Sequence, residues 1–439
     1  MPDFDLAPAE TRGHSLAYRQ ALTIALLFGG YAAYYFCRSD LSIAMPLIIQ
    51  ELQHKGVSAK DALIRLGLIS SFGVGAYAAG KFVLTGLGDV WGGKRNFLLG
   101  LGGAVLFTIL FALGGGPPIF TLAWIGNRLT QSVGWAGLIK VCSKWFSYSS
   151  YGTVAGVLSL SYLIGDALAR QSMGFLIRIG FSWREIFYFA AAVAGVFFAG
   201  NLFALRESRT DTGFSEAEVN PLNLFCDSDE KASSLSALFK ALLASRAFIT
   251  VCLVSFGCTI VRETFGIWTP TYLHDVFHFS ASSAGSASAI FPAMGAVSVL
   301  LTGWLSDQLG ARGRSVVMFA GLSVTALALF ALTAIRLRDS SSMLPLVLIG
   351  SVAFGLLGPY SYLAGAFALD FGGRKASAAS SGIIDGVGYV GGILAGDSVA
   401  RVAVAYGWRG VFIALGVVSA LSALASGCLF LMQGRSGSR

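Results

Sequence analysis

Charge is what this sequence lacks. Only 12% of its 439 residues are Asp, Glu, Lys or Arg, against 55% hydrophobic. A soluble globular chain carries about 25% charged residues. The deficit excludes a soluble enzyme, a disordered chain and a nucleic-acid binder, despite a net charge of +8. The Lys and Arg residues sit in short clusters between apolar runs and form no single basic face. Cysteine is also scarce. Of Cys37, Cys142, Cys226, Cys252, Cys258 and Cys428, all but Cys226 lie in or beside apolar runs, and none makes a C-x-x-C. That pattern reads as buried free thiols, not as disulfides or a metal site. The four histidines (His14, His54, His274, His278) fall in the N-terminal segment or in loops, with no H-E-x-x-H spacing. No metal or other cofactor is therefore expected. A Walker loop is missing too, which argues against ATP hydrolysis. The opening MPDFDLAPAETRGH is acidic and polar, unlike a cleaved signal peptide.

Long apolar runs are what the chain has. They lie at about 20–46, 63–86, 96–114, 118–143, 152–175, 186–206, 247–272, 281–305, 314–335, 343–369, 377–401 and 408–432. Each is near the roughly 20 residues that cross a bilayer as a helix. They are too long and too rich in Gly, Ala and Leu for strands. The expectation is an all-α membrane protein of twelve transmembrane helices in two six-helix bundles. Residues 1–206 form one bundle, 207–246 a polar connector and 247–439 the other. With the N-terminus inside, the inner segments hold more than twice as many Lys and Arg as the outer loops. The positive-inside rule then places both termini in the cytoplasm of a cell (inner) membrane.

The halves repeat. Arg38 and Pro46 are eight apart in the first run, as are Arg262 and Pro270 in the seventh. GLGDVWGGKR (86–95) follows the second run and GWLSDQLGARGR (303–314) the eighth. GDALAR (165–170) ends the fifth and GDSVAR (396–401) the eleventh. SWREIF (182–187) opens the sixth and GWRGVF (407–412) the twelfth. The offsets lie between 218 and 231 residues. Four matched features at nearly one offset indicate a duplicated six-helix unit, whose substrate site lies at the interface of the repeats.

These features resemble the major facilitator superfamily. The loop after the eighth run matches its G-x-L-x-D-x-x-G-x-[KR] pattern in full; the copy after the second departs only at Thr85. More narrowly, the chain is similar to the organophosphate:phosphate antiporter family of glycerol-3-phosphate and hexose-phosphate transporters. The similar stretches are GGYAAYYFCRSDLSIAMP, GKFVLTGLGD, NRLTQSVGW with KWF, IWTPTYL, GPYSYLAGAFALD and IIDGVGYVGG. Ser39, G-W-A-G in place of G-W-P-P, Ser161 and Ile267 depart from the family pattern. So does the absence of an acid and lysine in the eleventh run, although Asp385 lies nearby. The resemblance implies a retained phosphate-handling core with altered contacts to the organic moiety.

Arg38 and Arg262 carry the chemistry. An arginine at mid-membrane costs at least about 2.5 kcal/mol on insertion scales. Ion pairs with Asp40 or Glu263 are the structural alternative, but residues one or two apart diverge around a helix. One guanidinium from each half, each able to hold phosphate oxygens bidentately, reads as a phosphate clamp. Tyr31 and Tyr35 share a face with Arg38, open to packing or to phosphate contact; the resemblance implies contact. Lys81 either snorkels to the inner surface or, as the resemblance implies, meets the anion. Gln131 and Trp135 share a face with Asn127, lining the cavity or bonding other helices. Tyr389 is a candidate for the organic part, and Asp385 for a proton or sugar hydroxyl. Asp166/Arg170 and Asp397/Arg401 are i,i+4 pairs readable as salt bridges or as outer-gate latches. Asp89 and Asp307, in the two loop motifs, are read as conformational contacts.

The leading expectation is exchange of an organic phosphate for inorganic phosphate by a monomer. Two uncompensated guanidiniums would hinder return of the empty carrier, unless Glu263 turns inward, partly neutralises Arg262 and lets the empty carrier cross. A proton-coupled symporter of another organic anion, or a transporter-like sugar-phosphate sensor, are the alternatives.

Overall fold

Within a bilayer every backbone N–H and C=O must find a partner in its own segment or in a closed sheet. Runs of Leu, Ala, Gly and Phe satisfy this as helices. The computed structural model describes residues 9–84, 91–216, 242–335, 343–363 and 367–436, and apart from short turns these are helical, with no strand among them. The helices are α1 (Ala9–His54), α2 (Ala59–Val83), α3 (Gly93–Leu113), α4 (Pro117–Gln131), α5 (Gly134–Trp145), α6 (Tyr148–Arg178) and α7 (Trp183–Ala204). They continue as α8 (Arg246–Phe277), α9 (Ala281–Ala287), α10 (Ile290–Ala334), α11 (Leu344–Tyr362), α12 (Ala368–Gly392) and α13 (Asp397–Ser436). Nine stretches among the described residues are long and apolar enough to cross a membrane. One of them, Ser380–Met432, has 53 residues, more than twice what a single crossing needs.

Several boundaries differ from the sequence expectation, three of them instructive. The fourth run, expected as one helix over 118–143, breaks after Gln131 into α4 and α5. Ser132 turns its hydroxyl back onto the Leu129 carbonyl at 2.6 Å. Such local bonding competes with the helix ladder. The GWLSDQLGARGR segment, expected as a loop, continues the helix of α10. It contains glycine but no proline, so no backbone donor is lost. The junction of the last two runs lies inside α13, kinked at Gly407 (φ 70°, ψ 177°), a left-handed backbone that glycine adopts without steric cost.

Side-chain to backbone bonds lock helices within each half. Tyr34 donates to the Phe97 carbonyl at 2.5 Å and Asn201 to that of Leu26 at 3.1 Å. On the other side, Ser255 donates to the Ile384 carbonyl at 2.9 Å and Trp268 to that of Ala395 at 2.8 Å. Pro46 in α1 and Pro270 in α8 occupy matching places, as the repeat predicts. The connector is described only at its ends, and there Glu207 caps α3. It accepts from the backbone N–H of Gly93 and Lys94 at 2.8 and 2.7 Å and pairs with Lys144 at 2.6 Å. Partial burial pushes this carboxyl up, but the Lys144 ammonium and the two backbone donors outweigh it and hold it below the usual carboxylate range.

Candidate functional site

Helices α1 and α8 meet along their C-terminal halves. Gln50 faces His274 at 3.4 Å, Thr271 donates to Met45 Sδ at 3.9 Å, and Ser42 donates to the Ile267 carbonyl at 2.7 Å. The next step is Arg38 Nη2, 3.5 Å from Glu263 Oε1. A cleft with an empty volume of about 690 Å³, counted to its open mouth, lies here; Arg38, Arg128, Arg262, Glu263, Tyr35 and Tyr162 are among its lining residues.

Glu263 is the hub. Its Oε1 accepts from Arg262 Nη1 at 2.9 Å and its Oε2 from Arg128 Nη2 at 3.3 Å. The sequence argument against pairing adjacent residues is therefore corrected. The two Cα–Cβ directions do diverge, but an arginine's flexible stem brings its fork back to the neighbouring carboxylate. Asp40 is fully buried and accepts from the Leu41 N–H at 2.7 Å; its described bond is to the backbone and not to Arg38.

Aromatic rings support the cations. Arg38 lies 4.7 Å from the centre of the Tyr77 ring and 5.2 Å from that of Tyr35. Arg128 lies 5.4 Å from the same Tyr77 ring, and Arg262 5.2 Å from that of Tyr360. Such contacts offset part of the desolvation of a buried cation. Arg262 Nη1 also donates to the Tyr389 hydroxyl at 3.4 Å, and the Tyr389 ring packs on Tyr77 at 4.8 Å.

The other candidates lie as follows. Lys81 Nζ is 3.5 Å from Asp385 Oδ2, so two residues read separately form one ion pair between α2 and α12. Tyr31 packs on Tyr34, Tyr35 and Trp135, with the Trp135 ring 5.2 Å away. Gln131 donates to Asn127 Oδ1 at 2.6 Å and to the Cys37 carbonyl at 3.1 Å, joining α4 to α1. The two i,i+4 pairs both form, at 2.8 Å each, but in different settings. Arg170 is 2% exposed and also reaches Ser288 Oγ at 3.0 Å and the Gly266 carbonyl at 2.8 Å in the other half, while Ser39 donates to Asp166 at 2.5 Å. Arg401 is 61% exposed, and its described bond is to Asp397 alone. Asp89 and the side chain of Asp307 lie outside the described residues.

Nearby, α6 and α9 approach closely. Ser282 donates to the Gly174 carbonyl at 2.8 Å, and a Cβ on Gly174 would stand 2.6 Å from the Ser286 backbone nitrogen. This end of the molecule is held shut by α1–α8 and α6–α9 contacts together.

Sequence reasoning missed Arg128 and Tyr77. The inward turn of Glu263, raised as the condition that would weaken obligatory exchange, is met here, with Arg128 sharing the carboxylate. A signal for Arg128 was available. It is the one charged residue between Pro117 and Ile139, and an ionisable group inside an apolar run points to function by default.

Comparisons with known proteins bear on the family and the fold. Residues 27–396 match the model of the Major Facilitator Superfamily. The chain is 28% identical over 411 residues to a "Probable hexose phosphate transport protein" of Chlamydia pneumoniae, covering 89% of this chain and 86% of that one. It is 26% identical over 442 residues to a "Glycerol-3-phosphate transporter" of Haemophilus influenzae, covering 92% and 90%. Among solved structures, a D-xylose-proton symporter superposes with a TM-score of 0.71 at 14% identity, covering 93% of this chain and 96% of that one.

Proposed function

We propose, from the premise that this chain belongs to the Major Facilitator Superfamily and is a multi-pass membrane transporter and not an enzyme, that it exchanges an organic phosphate for inorganic phosphate. The observation that carries the reading is the convergence of Arg38 and Arg262, one from each half, on a single carboxylate oxygen. A carboxylate held there stands where a phosphate oxygen would be received. Two guanidinium forks suit the several oxygens of a phosphate better than the two of a carboxylate. The relatives named for hexose phosphate and glycerol-3-phosphate transport support the class of cargo.

The mechanism follows from placement. A phosphate entering the cleft draws Arg38 of α1 and Arg262 of α8 together and displaces Glu263 from them. Arg128 remains to hold the displaced carboxylate. Both halves are then tied through the cargo, and they rock about it. The end where Gly174 meets Ser286 faces outward if both termini are cytoplasmic, as the basic residues direct. Arg170 serves as a latch of that end. The protein works as a monomer in a cell (inner) membrane.

Proteoliposomes test this directly. Vesicles loaded with inorganic phosphate are offered labelled sugar phosphates, glycerol phosphate and sugar acids. Uptake of a phosphate ester that depends on internal phosphate is expected. Uptake of a sugar acid driven by a proton gradient, with phosphate esters excluded, would overturn the proposal in favour of a symporter.

A further inference from the structure

The central cluster holds one more arginine than a two-pronged clamp needs. Arg38, Arg128 and Arg262 surround one carboxylate, Glu263, with Arg128 only 3% exposed and Glu263 6%. The carboxylate oxygens are divided. Oε1 faces the two clamp arginines, while Oε2 is held by Arg128. Lys81 and Asp385 cancel each other close by. Counted over the direct contacts, three guanidiniums and one carboxylate leave two positive charges. Removing Arg128 alone would leave one. The donors are not saturated either. Arg38 Nη2 and Arg128 Nε are buried with no hydrogen-bond partner among the described residues.

We propose that Arg128 determines specificity: by retaining the Glu263 carboxylate when the entering anion displaces it from Arg38 and Arg262, it leaves those two uncancelled toward the cargo, and the site selects dianions over monoanions. The inference rests on the reading that Arg38 and Arg262 receive the transported anion. The consequence concerns substrate form. A phosphoryl group has a second pKa near 6, so near pH 7.5 its monoester is mainly a dianion. A sulfate monoester of the same sugar has the same shape but a single charge. In a desolvated cleft each unbalanced charge counts heavily, because the low local dielectric strengthens every interaction.

Charge count and local shape can be separated genetically. Arg128→Gln leaves one net positive charge. Arg128→Gln with Glu263→Gln removes a neutral pair and leaves two. Arg128→Lys keeps the charge and changes the geometry. The experiment measures displacement of labelled inorganic phosphate from purified protein by a hexose 6-phosphate and by the matching hexose 6-sulfate at pH 7.5. The selectivity is the ratio of their inhibition constants.

Wild type and Arg128→Lys should strongly prefer the phosphate ester. Arg128→Gln should lose about tenfold or more of that preference, the factor given by roughly 1.4 kcal/mol of lost attraction. The double variant should regain it. An unchanged ratio in Arg128→Gln would overturn the inference. So would a double variant no better than the single one, since a purely structural role is not rescued by a second deletion. Should wild type bind neither phosphate nor either ester, the anion-site reading itself fails and the inference falls with it. That result is distinct from phosphate binding with a selectivity indifferent to Arg128.

Discussion

Gly174→Ala should pry open the shut end of the transporter. An alanine Cβ there would stand 2.2 Å from Ser286 Oγ, 2.6 Å from the Ser286 nitrogen and 2.9 Å from the Ser282 carbonyl oxygen. The serine hydroxyl can rotate away, but the two backbone atoms cannot. Ordinary contact is reached only if α6 and α9 separate by on the order of 1 Å, as native interiors leave no slack. The separation stretches the 2.8 Å bond from Ser282 to the Gly174 carbonyl. Overpacking of this kind is destabilising by about 1–3 kcal/mol, and the lost bond adds about 1 kcal/mol. Both penalties act only in the conformation where these helices touch. A two-state equilibrium shifts tenfold per 1.4 kcal/mol, so the opposite conformation should gain about tenfold or more. The assay uses a cysteine in place of Met45, a fully buried side chain beside Thr271 at the shut end, with the native cysteines replaced. A membrane-impermeant thiol reagent should label it faster in the Gly174→Ala background. Equal labelling in both backgrounds, with both proteins folded, would refute the argument that this contact holds the end shut.

Other outcomes are expected from neighbouring contacts. Arg170→Ala should impair transport severely while Arg401→Ala leaves it near wild type, because the first ties the halves together and the second pairs with its own helix at an exposed surface, where water and salt screen the attraction; transport rates of the two variants decide it. Lys81→Asp or Asp385→Lys alone should slow transport, and the charge-swapped double variant should recover part of it, because the pair crosses from α2 to α12. No recovery would show that one of them meets the cargo instead. Glu207 is held below the usual carboxylate range when folded. It therefore contributes stability above its unfolded value near 4.3 that is lost as pH falls through the folded value. Melting temperatures in detergent from pH 6 downward should drop more steeply for wild type than for Glu207→Gln.

The apolar runs and the repeat were legible because both are statements about spacing. Length and composition dictate helices in a bilayer, and two arginines at matching places of a duplicated unit dictate an interface site. What the sequence concealed was decided by side-chain reach. Glu263 looked turned away from Arg262 on helical geometry, yet the guanidinium folds back to it at 2.9 Å. Arg128 is obscured in the sequence by its polar neighbours Asn127 and Gln131, which mark a different face of α4. Those two residues join helices instead, through Thr108 and the Cys37 carbonyl. Lys81 and Asp385 lie far apart in sequence, and only the packing of α2 against α12 reveals them as one pair. The continuation of α10 through a glycine-bearing segment was hidden for a different reason, since glycine weakens a helix without forbidding it.

The central claim is that Arg38 and Arg262 together receive a phosphate. Exchange of labelled inorganic phosphate across phosphate-loaded proteoliposomes tests it most directly, comparing wild type with Arg38→Lys and Arg262→Lys. Lysine keeps each charge but not the two-pronged bond, so both variants should exchange phosphate at a small fraction of the wild-type rate while remaining folded. Wild-type exchange in either lysine variant would contradict the clamp.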